Sequence, residues 1–186
     1  MELFWFNNYD EALKNAMQNR RPVLLQFDVK GCGGCKKLYS YTYLDEKVKE
    51  ELGKYFTLLR LDIVKEREVR RKYGAFWTPS FYFLDFKGNS YYHFNGYFPP
   101  TELRILLRVG FSEASIPKGR FAEAKEFLNK DFEELEDNIL APKILYQKGM
   151  IDYLHDRDNQ KFRALIKSVK EKYPQSPEAS QYFWDE

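Results

Sequence analysis

The apolar positions of the chain recur with two different periods. Ala12, Leu13, Ala16 and Met17 follow helical spacing, the stripe of an amphipathic helix. Asn8 can cap that helix, with Glu11 completing a capping box, and Arg20-Arg21-Pro22 ends it. The run from Val23 to Val29 is apolar on both faces, which suits a buried central strand better than an edge. A short helical pattern follows, and Asp45 then caps a further helix running through Val48 and Leu52 to about Gly53. Phe56 to Ile63 reads as a second buried strand, and Lys65 to Tyr73 as a short charged helix stopped by Gly74. Its basic run, Arg70-Arg71-Lys72, reads as a solvated face.

Phe81 to Leu84 is the next strand, and Lys87-Gly88-Asn89 turns it into a hairpin with Ser90 to Phe94. Gly96 breaks the second arm. Pro99-Pro100-Thr101-Glu102 opens a helix through Leu103, Leu106, Leu107 and Val109, expected to end at Gly110. Strand, helix, strand, helix, hairpin, helix is an α/β layer pattern with a mixed sheet. Residues 113–186 change character, with no strand pattern and helical spacing throughout: Phe121, Ala124 and Leu128, then Phe162, Leu165, Ile166 and Val169. Two domains are therefore expected, 1–112 and 113–186.

Composition narrows the function classes. Aromatic residues make up 18% of the chain, enough to build core and interfaces from large side chains. A net charge of +2 argues against nucleic acid or a membrane surface as partner. No apolar segment approaches the length of a membrane span, and the N-terminus lacks the pattern of a signal peptide. The chain reads as cytoplasmic, an exported location remaining open if a signal has been removed.

The chemistry lies in Gly31-Cys32-Gly33-Gly34-Cys35-Lys36, which holds both cysteines of the chain. An apolar strand leads in and a helical pattern leads out, the context in which Cys-x-x-Cys reads as redox. A cysteine at a helix N-terminus sits among unpaired N–H groups and the positive end of the helix dipole, which favour thiolate. Cys32 is the expected nucleophile and Cys35 the resolver of the mixed disulfide. Zinc would need four ligands, and His93 and His155 are the usual ones left, both far away in sequence. A purely structural disulfide would close almost no loop. No metal and no cofactor is expected.

In this order, the strand before Cys-x-x-Cys, the following lysine, Leu61-Asp62, Thr78-Pro79, Lys87-Gly88 and Gly96 resemble a thioredoxin-fold domain over residues 8–110. Thr42-x-Leu44-Asp45-x-x-Val48 resembles the thioredoxin-like domain of transmembrane thiol–disulfide interchange proteins more than small thioredoxins. The resemblance implies a cis Pro79 packed beside Cys32, with Trp77, Thr78, Pro79 and Gly96 as the substrate-binding set. Thr78 would offer its backbone to a client peptide as an extra strand. On the residues alone Pro79 is only a strand-starting proline. Three departures stand out. Gly31 replaces the family's tryptophan, and Gln26 replaces its buried aspartate, leaving Asp28 or water as proton acceptor. Gly33-Gly34 replaces the stiffer Gly-Pro, raising the entropy cost of closing the disulfide.

In the tail, Gly119-Arg120-Phe121-x-x-Ala124 and Arg157-Asp158-x-x-Lys161-Phe162 occupy similar places about forty residues apart. Tyr146-x-x-Gly149 and Tyr173-Pro174 are similar to a tetratricopeptide repeat, and a plain helical hairpin is the competing reading. So few units rarely stand alone, so the tail should pack on the redox domain or on a partner, with a groove lined by Tyr146 and Tyr153. His93 reads as a surface strand residue and His155, beside Asp156, as a polar-face residue near a helix end. The expected function is a thiol–disulfide oxidoreductase acting on protein disulfides, with an unidentified electron donor or acceptor and a protein partner for the tail. The alternative is a binding module on a thioredoxin scaffold. A third reading has two copies sharing an iron–sulfur cluster through Cys32.

Overall fold

The computed structural model describes residues 2–181. At its centre lies β2 (Val23–Asp28), whose first five residues are fully buried. It pairs in parallel with β3 (Thr57–Asp62), Leu24 opposite Leu58, and antiparallel with β4 (Ser80–Leu84), Leu25 opposite Tyr82. β5 (Ser90–Asn95) completes the hairpin, with a register irregularity at Phe83/Leu84. β1 (Trp5–Phe6) pairs in parallel with Leu58 and Leu59, so the sheet order is β1-β3-β2-β4-β5. The sequence pattern gave no sign of β1, because two residues are too few to show alternation.

Alternation along β2 sends its side chains to two different layers. Val23, Leu25 and Phe27 pack with Ala12 and Ala16 of α1 (Tyr9–Asn19) in one apolar cluster. Asn8 caps α1 through the Glu11 N–H, and Arg20 closes it in the left-handed conformation. Met17, expected in the buried stripe, is instead 55% exposed; the two alanines let α1 lie close to the sheet, and the face they define leaves Met17 outside.

Asp45 caps α3 (Glu46–Tyr55) at the Val48 N–H. α4 (Arg67–Tyr73) stops at Gly74, whose φ of +62° lies in the left-handed region. Asp85, buried, shapes the hairpin by accepting from the N–H groups of Lys87 and Asn89 and from the Tyr91 hydroxyl.

α5 (Pro100–Ser115) does not end at Gly110 as expected. A Cβ on Gly110 would stand 2.4 Å from the Phe83 ring, so this glycine serves a close approach to the sheet and not a helix stop. Earlier in the same helix, Arg104 and Arg108 of α5 both bind Glu51 of α3 at 2.8 Å, with Arg108 and Glu51 fully buried. Removing one partner of such a buried group leaves an uncompensated charge, at a cost of about 3–5 kcal/mol.

The chain divides into two compact units between Ala114 and Ser115. The second is helical: α6 (Phe121–Asn129), α7 (Ala141–Asp156), α8 (Asn159–Lys172) and α9 (Pro177–Ser180). Arg157 in the left-handed conformation and the Asp158 cap turn α7 into α8. Gly149 lets the pair close, since a Cβ there would meet Leu165 Cδ2 at 2.7 Å. Phe162, Ile166 and Val169 are buried, and Tyr153 lies with its ring 5.6 Å from that of Phe162. His155 pairs with Asp156 at 2.6 Å, its ring 4.8 Å from Phe121. His93 stacks on Tyr82 on the exposed side of β5.

Candidate active site

The turn after β2 presents the two cysteines to α2 (Gly33–Ser40). Gly31, at φ +90°, takes a backbone conformation that side chains disfavour, and the Cys32 N–H closes the turn on the Val29 carbonyl at 3.1 Å. Cys32 is the N-cap of α2, and its Sγ accepts the Cys35 N–H at 3.1 Å. The two sulfurs form a disulfide, with the Cα atoms 5.3 Å apart. Cys32 is half-buried, whereas Cys35 is 2% exposed. The first turn of α2 carries no acidic residue, and Lys36 and Lys37 are exposed just beyond it. Helix dipole, a donated N–H and nearby ammonium groups all favour negative charge on Cys32 Sγ once the disulfide is reduced.

The Thr78–Pro79 peptide bond is cis, and buried Pro79 lies against the motif. A Cβ on Gly34 would come within 2.9 Å of Pro79 Cδ and 3.4 Å of Tyr97 Cβ. Gly34 therefore has a steric reason beyond loose turn chemistry. The Gly96 N–H donates to the Pro79 carbonyl at 2.8 Å, holding the loop after β5 beside the proline. Lys37 Nζ sits 4.5 Å above the Tyr97 ring. Gly34, Pro79, Gly96 and Tyr97 thus meet around the cysteines, with Thr78 half-buried and Trp77 59% exposed. Phe76, which the sequence did not single out, is 80% exposed. Among the described residues, Phe76, Trp77 and Thr78 make no backbone–backbone hydrogen bond.

Beneath the motif, Gln26 is fully buried and joins a row of polar groups. The Tyr43 hydroxyl donates to Gln26 Oε1, Gln26 Nε2 donates to the Tyr39 hydroxyl at 3.0 Å, and Tyr39 donates to Asp28 Oδ2. Asp28 also faces Arg60 at 3.9 Å, whose guanidinium lies over Trp5 of β1 and over Tyr39. Burial, reinforced by the Asp28 carboxylate, pushes the Tyr39 phenol up to about 12, and burial above all, with Tyr39 nearby, drives Tyr43 well above its ordinary value. Tyr39 is one helical turn after Cys35 on the same face of α2. That spacing is the signal in the sequence that could have brought it into the site. Asp28, named as a candidate acceptor, reaches this layer through Tyr39.

The thioredoxin-like domain model matches residues 9–110. The thiol:disulfide interchange protein DsbD of Ralstonia nicotianae is 31% identical over 84 residues, 43% of this chain and 14% of the relative. DsbD of Campylobacter jejuni is 22% identical over 85 residues, 44% of this chain and 15% of the relative. The chain thus spans only a small part of the length of these curated relatives. A thioredoxin from Thermus thermophilus is similar in structure, with a TM-score of 0.52 and 26% identity over 58% of this chain and 86% of that one. Since the family model covers just over half of the sequence, the chain belongs to the thioredoxin-like domain family.

Proposed function

We propose that this protein is a thiol–disulfide oxidoreductase acting on protein disulfides, with Cys32 as nucleophile and Cys35 as resolver. The observation that carries this reading is the contrast between the two sulfurs: Cys32 is half-buried and receives an N–H at a helix N-terminus, whereas Cys35 is 2% exposed one turn further in. In the reduced chain, the Cys32 thiolate attacks one sulfur of a client disulfide. That S–S bond breaks, and the second client sulfur leaves as a thiolate that takes a proton. Cys35 then loses its proton and attacks Cys32 Sγ, releasing the first client sulfur as a second thiol. The client gains two electrons and two protons, and the chain is left as the disulfide. A dithiol donor must restore it, and the same steps run backwards oxidise a client dithiol.

Trp77, Thr78, Pro79 and Gly96 are the client-binding set: Gly96 fixes the Pro79 carbonyl, and the amides of residues 76–78 accept an extended segment as an added strand. Non-reducing gels of Cys35→Ser in cell extract should show mixed disulfides that Cys32→Ser lacks; adducts formed only by Cys32→Ser would reverse the roles. The helical unit is proposed to aid client or partner binding. Gly149 gives it a tightly packed helix pair at the position where Tyr146-x-x-Gly149 suggested a tetratricopeptide-like unit. The alternative, a binding module with little redox activity, draws on the neutral Gln26 beneath the motif.

A further inference from the structure

Three segments meet at Gly34, between the two cysteines: residues 29–37, which carry the motif; residues 76–79, through Pro79; and residues 96–99, through Tyr97. Together they contain Lys30, Lys36 and Lys37 and no acidic residue, although the whole chain carries a net charge of only +2. All three lysines are exposed. Asp28, the nearest carboxylate in sequence to Lys30, is engaged by Tyr39 and faces Arg60. On the second of these segments, Phe76 and Trp77 are 80% and 59% exposed, with Thr78 between them and the cis-proline. Adjacent large apolar side chains left in water mark a surface that a partner can cover.

We propose that the client segment is an acidic peptide. Its disulfide-bonded cysteine is flanked by carboxylate side chains that meet Lys30, Lys36 and Lys37, and by one large apolar side chain that covers Phe76 and Trp77. This rests on the redox reading above and names the class of substrate it takes. An anionic lipid surface would also suit lysines and aromatics. It offers nothing, however, to the amides of residues 76–78 or to a nucleophilic sulfur, whereas an extended peptide satisfies both at once.

The test uses the full chain, reduced with dithiothreitol that is then removed. Two peptides differ only in the residues flanking one cysteine, Glu in one and Lys in the other, and each is joined by a disulfide to thionitrobenzoate. Attack of Cys32 on the peptide sulfur releases the thionitrobenzoate anion, read by absorbance. The Glu peptide should react about tenfold faster at low ionic strength, the lower end of electrostatic steering. That ratio should shrink as the Debye length falls from about 30 Å at 0.01 M salt to about 3 Å at 1 M. Lys36→Glu/Lys37→Glu should invert the ratio, a comparison within one variant that cancels any change in the reactivity of Cys32. A further pair, the Glu peptide extended by either Leu or Ser, should favour Leu in the wild-type chain and lose that preference in Trp77→Ser.

A ratio near one in the wild-type chain, insensitive to salt, overturns the proposal and leaves the redox reading intact, because both peptides still react. Failure of both peptides and of the disulfide of 2-mercaptoethanol strikes the redox reading itself. Co-sedimentation with phosphatidylserine vesicles at the same salt would overturn the proposal in favour of a lipid surface.

Discussion

Tyr39 does two jobs with one hydroxyl: it accepts from Gln26 and donates to Asp28. Tyr39→Phe would leave the buried Gln26 amide short of an acceptor, so denaturant unfolding at neutral pH should show a loss of about 1–3 kcal/mol. The pH dependence has a definite sign. Because the folded phenol is held up near 12 against an ordinary value of 10.0, the unfolded chain loses that proton first. The stabilisation from Tyr39 is therefore complete below about pH 10 and lost as pH rises through about 12. Tyr39→Phe should flatten the fall in stability across that window, leaving the share due to Tyr43, Tyr73 and Tyr82, which are also raised. An unchanged alkaline profile would show that Tyr39 titrates normally. The sequence named Gln26 and Asp28 but could not join them, because the link is a side chain from another element.

At the scale of elements, α5 shows how one residue type carries two messages. A glycine at the end of an apolar stripe reads as a helix stop, and Gly74 behaves that way. Gly110 looks alike in sequence, yet it lies inside α5 against the Phe83 ring. Gly110→Ala would gain about 1 kcal/mol of helix propensity. Forcing a methyl group into the ring should cost about 1–3 kcal/mol, and at a separation of 2.4 Å from an enclosed aromatic the steric cost should win. Net destabilisation is expected, with recovery when Phe83→Leu is added; a more stable single variant would mean that the ring moves aside freely. Elements with long periodic signals, such as β2 and α3, were legible to within a residue or two. β1 was not, because its place depends on the edge that β3 offers and not on any pattern of its own.

For the whole molecule, hydrophobic period separated the mixed α/β unit from the helical one without any view of packing. Charge was less legible. No sequence pattern singles out Glu51, Arg104 and Arg108, and only the folded chain brings them together out of water. The cysteines were legible because their chemistry is local: strand, glycine turn and helix start are contiguous in sequence. The residues that hold them in place are not contiguous, and Tyr97 emerged only when a distant loop met the motif.

The neutral side chain of Gln26 has an electrochemical consequence. Reducing the disulfide takes up two electrons and, below the pKa of Cys32, two protons, so the midpoint potential should fall by about 59 mV per pH unit. Above that pKa only one proton is taken up, and the slope should halve to about 30 mV. A buried carboxylate at position 26 would add a second bend, since its proton affinity would differ between the dithiol and disulfide forms. An amide has no proton to exchange, so the potential plotted against pH should bend once, within the roughly 3.5–7.5 range of activated cysteines. Two bends in that interval would mean that a carboxylate elsewhere is coupled to the sulfur couple; one bend would make the potential of this protein a direct readout of a single thiolate.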